Sequence, residues 1–294
     1  MRIKAGVIGL GSMGSAHARI YSQLEKCELV SVCDIDPRKK YLAETYQCKF
    51  FKKIKDLLKE DLDVVSICTP TFTHREIALE VLEKDKNILV EKPLAANAID
   101  GEKIVRKAVE TGKLLAVGYV ERFNPAVKKL REIIDFFEIY STVSLRLGPI
   151  PPREKRIGVL LDLGSHEIDL LNYLTKIQPE ILYAYASNKS DHNFEDYAYV
   201  SLKYDHLHSH IETSWLPNYK LRIINLYGNK RMYSLNYAQQ TLISYGAPPQ
   251  AKLETGDWKD ILRLSINVEE DISVSQAEPL RLELKRFIES VNKS

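Results

Sequence analysis

The stretch Ile3-Lys4-Ala5-Gly6-Val7-Ile8-Gly9-Leu10-Gly11-Ser12-Met13-Gly14 decides the fold of this chain. A short β-branched run ends in glycines at G-x-G-x-x-G spacing, and a helical pattern begins behind them. Gly9 permits a tight turn, Gly11 lets the backbone approach a pyrophosphate, and Gly14 lets the helix pack on the strand. Phosphates then sit at a helix N-terminus, beside the backbone of Ser12 and Met13, where free N–H groups favour negative charge. Alone, the triplet is a weak signal, since an ordinary strand-to-helix turn reads the same way. Its context strengthens it. The chain has 13 glycines in all, yet Gly6, Gly9, Gly11 and Gly14 fall together, and an acidic residue, Asp34, ends the next strand-like run. A carboxylate there accepts hydrogen bonds from ribose hydroxyls and repels a 2′-phosphate, which points to NAD rather than NADP. Arg38, Lys39 and Lys40 read either as neutralisers of such a phosphate or as the solvated start of a helix.

Working outward, the runs Ile3 to Ile8, Leu29 to Cys33, Val64 to Cys68, Ile88 to Val90 and Leu114 to Val117 alternate with helical patterns, the signature of a doubly wound parallel sheet. Ile77, Ala78, Val81 and Leu82 form one inward stripe, and Ile104, Val105, Ala108 and Val109 another. Thr73 to Glu76 reads as a capping box, and Gly112 is placed to end the second helix. After Gly118 the rhythm changes. A helix is expected over Pro125 to Phe137, a strand over Thr142 to Arg146, a basic Pro-rich loop over 148–156, and a helix near Asp162 to Leu174. Strands follow at Ile181 to Ser187, Tyr197 to Tyr204, His208 to Trp215 and Leu221 to Tyr227, with hairpin-like breaks between some of them, and an amphipathic helix at Glu278 to Val291 closes the chain. The expected fold is α/β: a Rossmann domain over residues 1–118, then an α+β domain over 119–294 with an open, mainly antiparallel sheet.

The chain of 294 residues is 45% apolar, enough for two cores, and no apolar run is long enough to cross a bilayer. A net charge of +2 from scattered, balanced acids and bases does not suggest a nucleic-acid surface. The start of the chain lacks the pattern of a cleaved leader, so a cytoplasmic protein is expected. Cys27, Cys33, Cys48 and Cys68 have no C-x-x-C spacing and read as reduced, buried thiols.

Several residues fall where chemistry is expected. Thr69-Pro70 and Glu91-Lys92-Pro93 both follow apolar strands, at the carboxyl edge of the sheet where this fold places its ligand. Pro93 restricts Lys92 and marks a candidate cis bond. Asp162, His166 and Asp169 share a helical face, and a carboxylate one turn from an imidazole orients it and tunes its pKa. A polar outer face explains the same pattern. No metal is expected: the helix lacks a second histidine, and His206, His208 and His210 alternate as on a polar sheet face with no further ligand nearby.

With the glycine fingerprint, Thr69-Pro70 with His74, Glu91-Lys92-Pro93, Arg122-Phe123-Asn124-Pro125 and Asp162-x-x-x-His166-x-x-Asp169 in that order, the chain resembles the glucose-fructose oxidoreductase and inositol dehydrogenase (Gfo/Idh/MocA) family. The resemblance runs to about Val291. Thr71 stands where that family often has Asn, and the chain ends where relatives commonly add a helix. The resemblance implies a catalytic Lys92, Asp162 and His166, with Thr69, Pro70, His74, Glu91 and Lys92 beside the cofactor. Tyr119 to Pro125 and Arg146 to Arg153 resemble the branch that oxidises nucleotide sugars, notably UDP-N-acetylglucosamine at its 3-hydroxyl. That branch implies Tyr119, Arg122, Asn124, Arg146, Arg153 and Asp169 as substrate contacts; Arg146, Arg153, Lys155 and Arg156 read either as a ring of cations around a diphosphate or as a mobile, solvated basic loop. A free-sugar or inositol dehydrogenase, an NADPH-dependent carbonyl or imine reductase, and a non-catalytic NAD(H) sensor are the alternatives. A sugar or nucleotide-sugar partner is expected, with no nucleic acid or membrane, and a homodimer or homotetramer through the open sheet.

Overall fold

Strand β1 (Ile3–Ile8) lies in the middle of a parallel sheet, and its last four residues are buried, as the apolar run from Ala5 to Ile8 requires. The structure is a computed structural model that describes residues 2–150, 157–190, 193–246 and 268–292. It divides into two units, one running to Val120 and resuming at Glu278, the other spanning Glu121–Ala277.

In the first unit, β1, β2 (Cys27–Cys33), β3 (Lys49–Phe51), β4 (Val64–Ile67), β5 (Asn87–Glu91) and β6 (Leu115–Gly118) form a six-stranded sheet in the order β3-β2-β1-β4-β5-β6. All its pairings are parallel. The order reverses between β1 and β4, and ligands in such sheets bind beyond the carboxyl ends of the strands at that switch point. The intervening helices are α1 (Ser12–Gln23), α2 (Lys40–Thr45), α3 (Ile54–Leu57), α4 (His74–Glu83) and α5 (Ala98–Thr111). One face of the sheet buries Val7, Ala18, Tyr21 and Leu89, the other Ile8, Ile67, Val81, Ile88 and Ile104.

Three expectations change here. Ile104 and Ala108 of α5 point inward, but Val105 and Val109 are exposed, because α5 lies toward the open edge of the sheet, where β6 has no further strand beside it. Thr73 is not an N-cap. Its backbone is already helical, and its hydroxyl donates to Pro70 O at 2.7 Å and lies 2.8 Å from Thr69 Oγ1 within the turn that leads into α4. Finally, the closing helix α8 (Pro279–Val291) belongs to the first unit rather than to the second domain. Leu280, Leu284, Phe287 and Ile288 join the core under α1, Arg19 pairs with Glu278, and Arg281 donates to Gln23 at 2.9 Å.

The second unit carries α6 (Pro125–Ile133), β7 (Ile139–Leu147), a π-helical turn (Leu160–Gly164) and α7 (Ser165–Thr175). There follow β8 (Glu180–Ser187), β9 (Tyr197–Tyr204), β10 (Leu207–Ser214), β11 (Leu221–Gly228), β12 (Arg231–Asn236), β13 (Thr241–Gly246) and β14 (Val268–Ile272). Helix α6 stops at Ile133, short of the expected Phe137, and β12 to β14 extend a sheet of order β14-β13-β12-β11-β7-β10-β9-β8. Every pairing is antiparallel except β7 with β10. One face packs Val200, Ile211, Ile224 and Leu226 against Val127 and Leu130 of α6 and Leu170 and Leu174 of α7. Half-buried residues of the opposite face include Val143, Ile223, Tyr199 and His210, and His210 Nδ1 lies 2.9 Å from Tyr199 OH, as a polar sheet face predicts.

Candidate functional site

The glycine loop between β1 and α1 has a geometry that only glycines allow. Gly9 has φ +86°, and a Cβ there would come within 2.7 Å of Cys68 O. A Cβ on Gly14 would lie 1.7 Å from Gly9 O. Gly11 is the N-cap residue of α1, and no side chain caps the helix, so Ser12 and Met13 open a first turn suited to an anion. The Asp34 carboxylate, at the end of β2, accepts from Leu10 N at 2.6 Å and from Asp36 N at 2.8 Å. Each oxygen has capacity for a further donor such as a ribose hydroxyl. Arg38 forks onto Asp36 at 2.9 to 3.1 Å, and its hydrogen bond holds that carboxyl below its usual pKa. Its guanidinium is therefore already engaged. These residues fit a dinucleotide.

Nearby in the same unit, His74 is 1% exposed, with Nδ1 3.0 Å from Pro93 O and Nε2 2.9 Å from Thr69 O. Both ring nitrogens face main-chain carbonyls, so His74 is a clasp between the Thr69-Pro70 turn and the Lys92-Pro93 turn, not the cofactor contact expected of it. Burial pushes its pKa down. The Lys92–Pro93 bond is cis, as the sequence suggested, and Lys92 is half-buried. Glu91 also departs from expectation. Its carboxylate turns into the interior, 3.0 Å from His17 Nε2, while His17 Nδ1 lies 3.1 Å from Ser66 Oγ, which in turn meets Tyr21 OH at 2.8 Å. Cys68 adjoins this chain, its thiol pKa pushed up by burial and then by Glu91. Sequence reasoning missed His17, although Gly14, His17, Ala18 and Tyr21 mark the buried side of α1 at helical spacing.

In the second unit the π-helical turn runs into α7 and sets Asp162 and His166 along it, 5% and 8% exposed. Widened turns of this kind recur at functional sites. Asp169, a turn further on, accepts from Arg122 Nε at 2.8 Å and from Arg122 Nη2, and the guanidinium lies 5.3 Å from the Tyr173 ring centre. Burial raises the Asp169 carboxyl pKa against the pull of Arg122. Tyr119 is half-buried at the end of the first unit.

Two expected substrate contacts are structural instead. Arg146 is 2% exposed, its Nε 2.6 Å from Glu167 Oε1 and its Nη2 2.7 Å from Glu121 Oε1. Tyr237 OH donates to Glu167 Oε2 at 3.0 Å, and its ring lies 5.4 Å from the guanidinium. A cation buried this way and paired with two carboxylates faces inward, away from a diphosphate. Although burial opposes its charge, Glu167 and Glu121 keep its pKa above the usual value. Asn124 is 1% exposed; its Oδ1 caps α6 at Ala126 N, and its Nδ2 donates to Glu121 Oε2 and Tyr237 O. Arg153, with Lys155 and Arg156, lies outside the described residues.

The chain resembles known proteins along most of its length. Residues 3–119 match the model of an oxidoreductase family with an NAD-binding Rossmann fold (GFO_IDH_MocA), and residues 146–234 match the GFO/IDH/MocA C-terminal domain. A UDP-N-acetylglucosamine 3-dehydrogenase from Acidithiobacillus ferrooxidans is 33% identical over 180 residues, 61% of this chain and 56% of that protein. An inositol 2-dehydrogenase from Rubrobacter xylanophilus is 31% identical over 195 residues, 64% of this chain and 56% of that protein. The chain thus spans a little over half the length of these curated relatives. In three dimensions, a structure of the Acidithiobacillus enzyme superposes with a TM-score of 0.86 at 24% identity, covering 100% of this chain and 90% of that one.

Proposed function

The chain belongs to the Gfo/Idh/MocA oxidoreductase family, and on that premise we propose that it is an NAD-dependent dehydrogenase of a secondary sugar hydroxyl, the 3-hydroxyl of a nucleotide sugar such as UDP-N-acetylglucosamine. The observation that carries this reading is the buried Asp162 on a widened helical turn, followed by the buried His166 in the first turn of α7, in a chain whose other unit has a dinucleotide cradle. The Gly9 to Gly14 loop and Asp34 would hold NAD, which would supply the hydride acceptor for the carbinol carbon. His166 takes the hydroxyl proton, and Asp162 orients the imidazole or the hydroxyl. Lys92 contributes a fixed positive charge for the developing alkoxide. In the reducing direction these roles reverse. Arg122, Asp169 and Tyr119 belong on the substrate's side, the first two as a mutually oriented pair. NAD rather than NADP is supported by the Asp34 carboxylate and by Arg38, which is engaged with Asp36 and is not free to meet a 2′-phosphate. A second copy would pack on the open sheet face, giving a dimer or tetramer.

NADH production from UDP-N-acetylglucosamine, followed by absorbance, tests the reading. Lys92→Ala and His166→Ala should each lower kcat/KM by about 100-fold to 10,000-fold. Full activity in both variants would remove the mechanism. The inositol 2-dehydrogenase relative favours a second reading, a free cyclitol, and turnover of inositol without turnover of the nucleotide sugar would select it.

A further inference from the structure

Arg222 on β11 pairs directly across the sheet with Arg146 on β7, so both side chains leave the same face, the one covered by α6 and α7. Their surroundings differ. Arg146 is paired with Glu121 and Glu167, whereas the half-buried Arg222 guanidinium has, among the described residues, no hydrogen-bonded or ion-paired partner. Guanidinium donors partly withdrawn from water beside another cation are costly to leave unmatched. Burial first, and then Arg146, push the Arg222 pKa down, while Glu121, Glu167 and Asp162 pull it up. Two of those three carboxylates are bound to Arg146. The third is Asp162. Glu167 directly follows His166 in α7, so the contacts from Arg222 through Arg146 to Glu167 lead back to the turn that carries the candidate base.

We propose that Arg222 binds a phosphoryl group of the substrate, an inference that rests on the nucleotide-sugar reading above. In a nucleotide sugar the phosphate sits on C1, two ring carbons from C3, so the cation that meets it belongs close to the base that acts on the 3-hydroxyl. Among the described residues, Arg222 is a half-buried cation with no hydrogen-bonded or ion-paired partner, and it lies beside Arg146 in the sheet. A planar guanidinium suits the paired oxygens of a phosphoryl group. A free cyclitol offers no anion to match it.

The test is titration calorimetry of UDP into the full chain, as wild type and as Arg222→Met, with steady-state kinetics on UDP-N-acetylglucosamine. UDP affinity should fall by about tenfold or more, the loss of one charge-assisted contact, and KM should rise in step while kcat stays within about threefold. NADH affinity should not move. Should the Met variant not fold, Arg222→Gln, which keeps one donor group, is measured in the same way with the same expectation. Equal UDP affinity in wild type and variant, with the wild type still oxidising UDP-N-acetylglucosamine, overturns the role of Arg222 and leaves the function standing. A wild type that oxidises inositol but neither binds UDP nor oxidises the nucleotide sugar overturns both.

Discussion

Replacing Arg146 with Met separates two views of a residue that the sequence presents as a substrate contact and the fold presents as an internal counter-ion. The change leaves Glu167, whose side chain is 0% exposed, and Glu121, 9% exposed, without their shared cation. A buried carboxylate without a partner takes up a proton, and protonating an ordinary carboxyl costs about 3.7 kcal/mol at pH 7 but only about 1 kcal/mol at pH 5. With one or both neutralised, the expected loss is about 4 to 7 kcal/mol at pH 7, comparable to the cost of breaking other buried pairs. At pH 5 the loss shrinks to about 1 to 2 kcal/mol. The sign follows from burial: a carboxylate stripped of its cation is tolerated in the interior only when neutral, so the loss is small at low pH and grows as pH rises. Urea unfolding read by tryptophan fluorescence suits the measurement, because Trp215 and Trp258 both fall in the sequence of the second unit. The triple change Glu121→Gln, Arg146→Met, Glu167→Gln should recover most of the loss at pH 7. An unmoved urea midpoint together with a raised KM for substrate would refute the reasoning and restore Arg146 to the substrate.

Two further outcomes are expected. Burial depresses the His74 pKa below 6.5, so its stabilising contribution is present above pH 6.5 and is lost as pH falls through the lower folded-state value; wild-type melting temperature should drop more steeply than that of His74→Gln below pH 6.5, and superimposable profiles would contradict the clasp. Gly14→Ala places a Cβ 1.7 Å from a main-chain oxygen that no side-chain movement can relieve, so NADH binding by fluorescence titration should vanish, whereas Ser12→Ala should bind nearly as wild type.

The first unit was legible because its signals are local. Strand β1 was read to the residue, and β2, β4, β5 and β6 to within two residues, since buried parallel strands are continuous apolar runs. The glycine loop, Asp34 and the Lys92-Pro93 turn likewise declare themselves within a few residues. In the second unit the decisive contacts span long separations. Arg146 meets partners 25 and 21 residues away, and no spacing reveals that a cation beside a basic loop faces inward. Arg231–Asn236 buries only Leu235, and Thr241–Gly246 only Leu242 and Ser244, with polar side chains among the rest, so these strands lack the dense apolar run that marked β1. Thr73 and Glu76 have capping-box spacing, but a preceding 3-10 turn takes the threonine hydroxyl first.

The return of α8 to the first unit makes the second unit an insertion in the middle of the first. Synthesis runs in one direction, so residues of the second unit form a contiguous stretch that is complete before the first unit has received its last helix. Leu280, Leu284, Phe287 and Ile288 together bring about 6 to 12 kcal/mol of apolar burial, similar to the whole net stability of an ordinary domain. The first unit, with its cofactor cradle, therefore completes its core only after all of the second unit has been made.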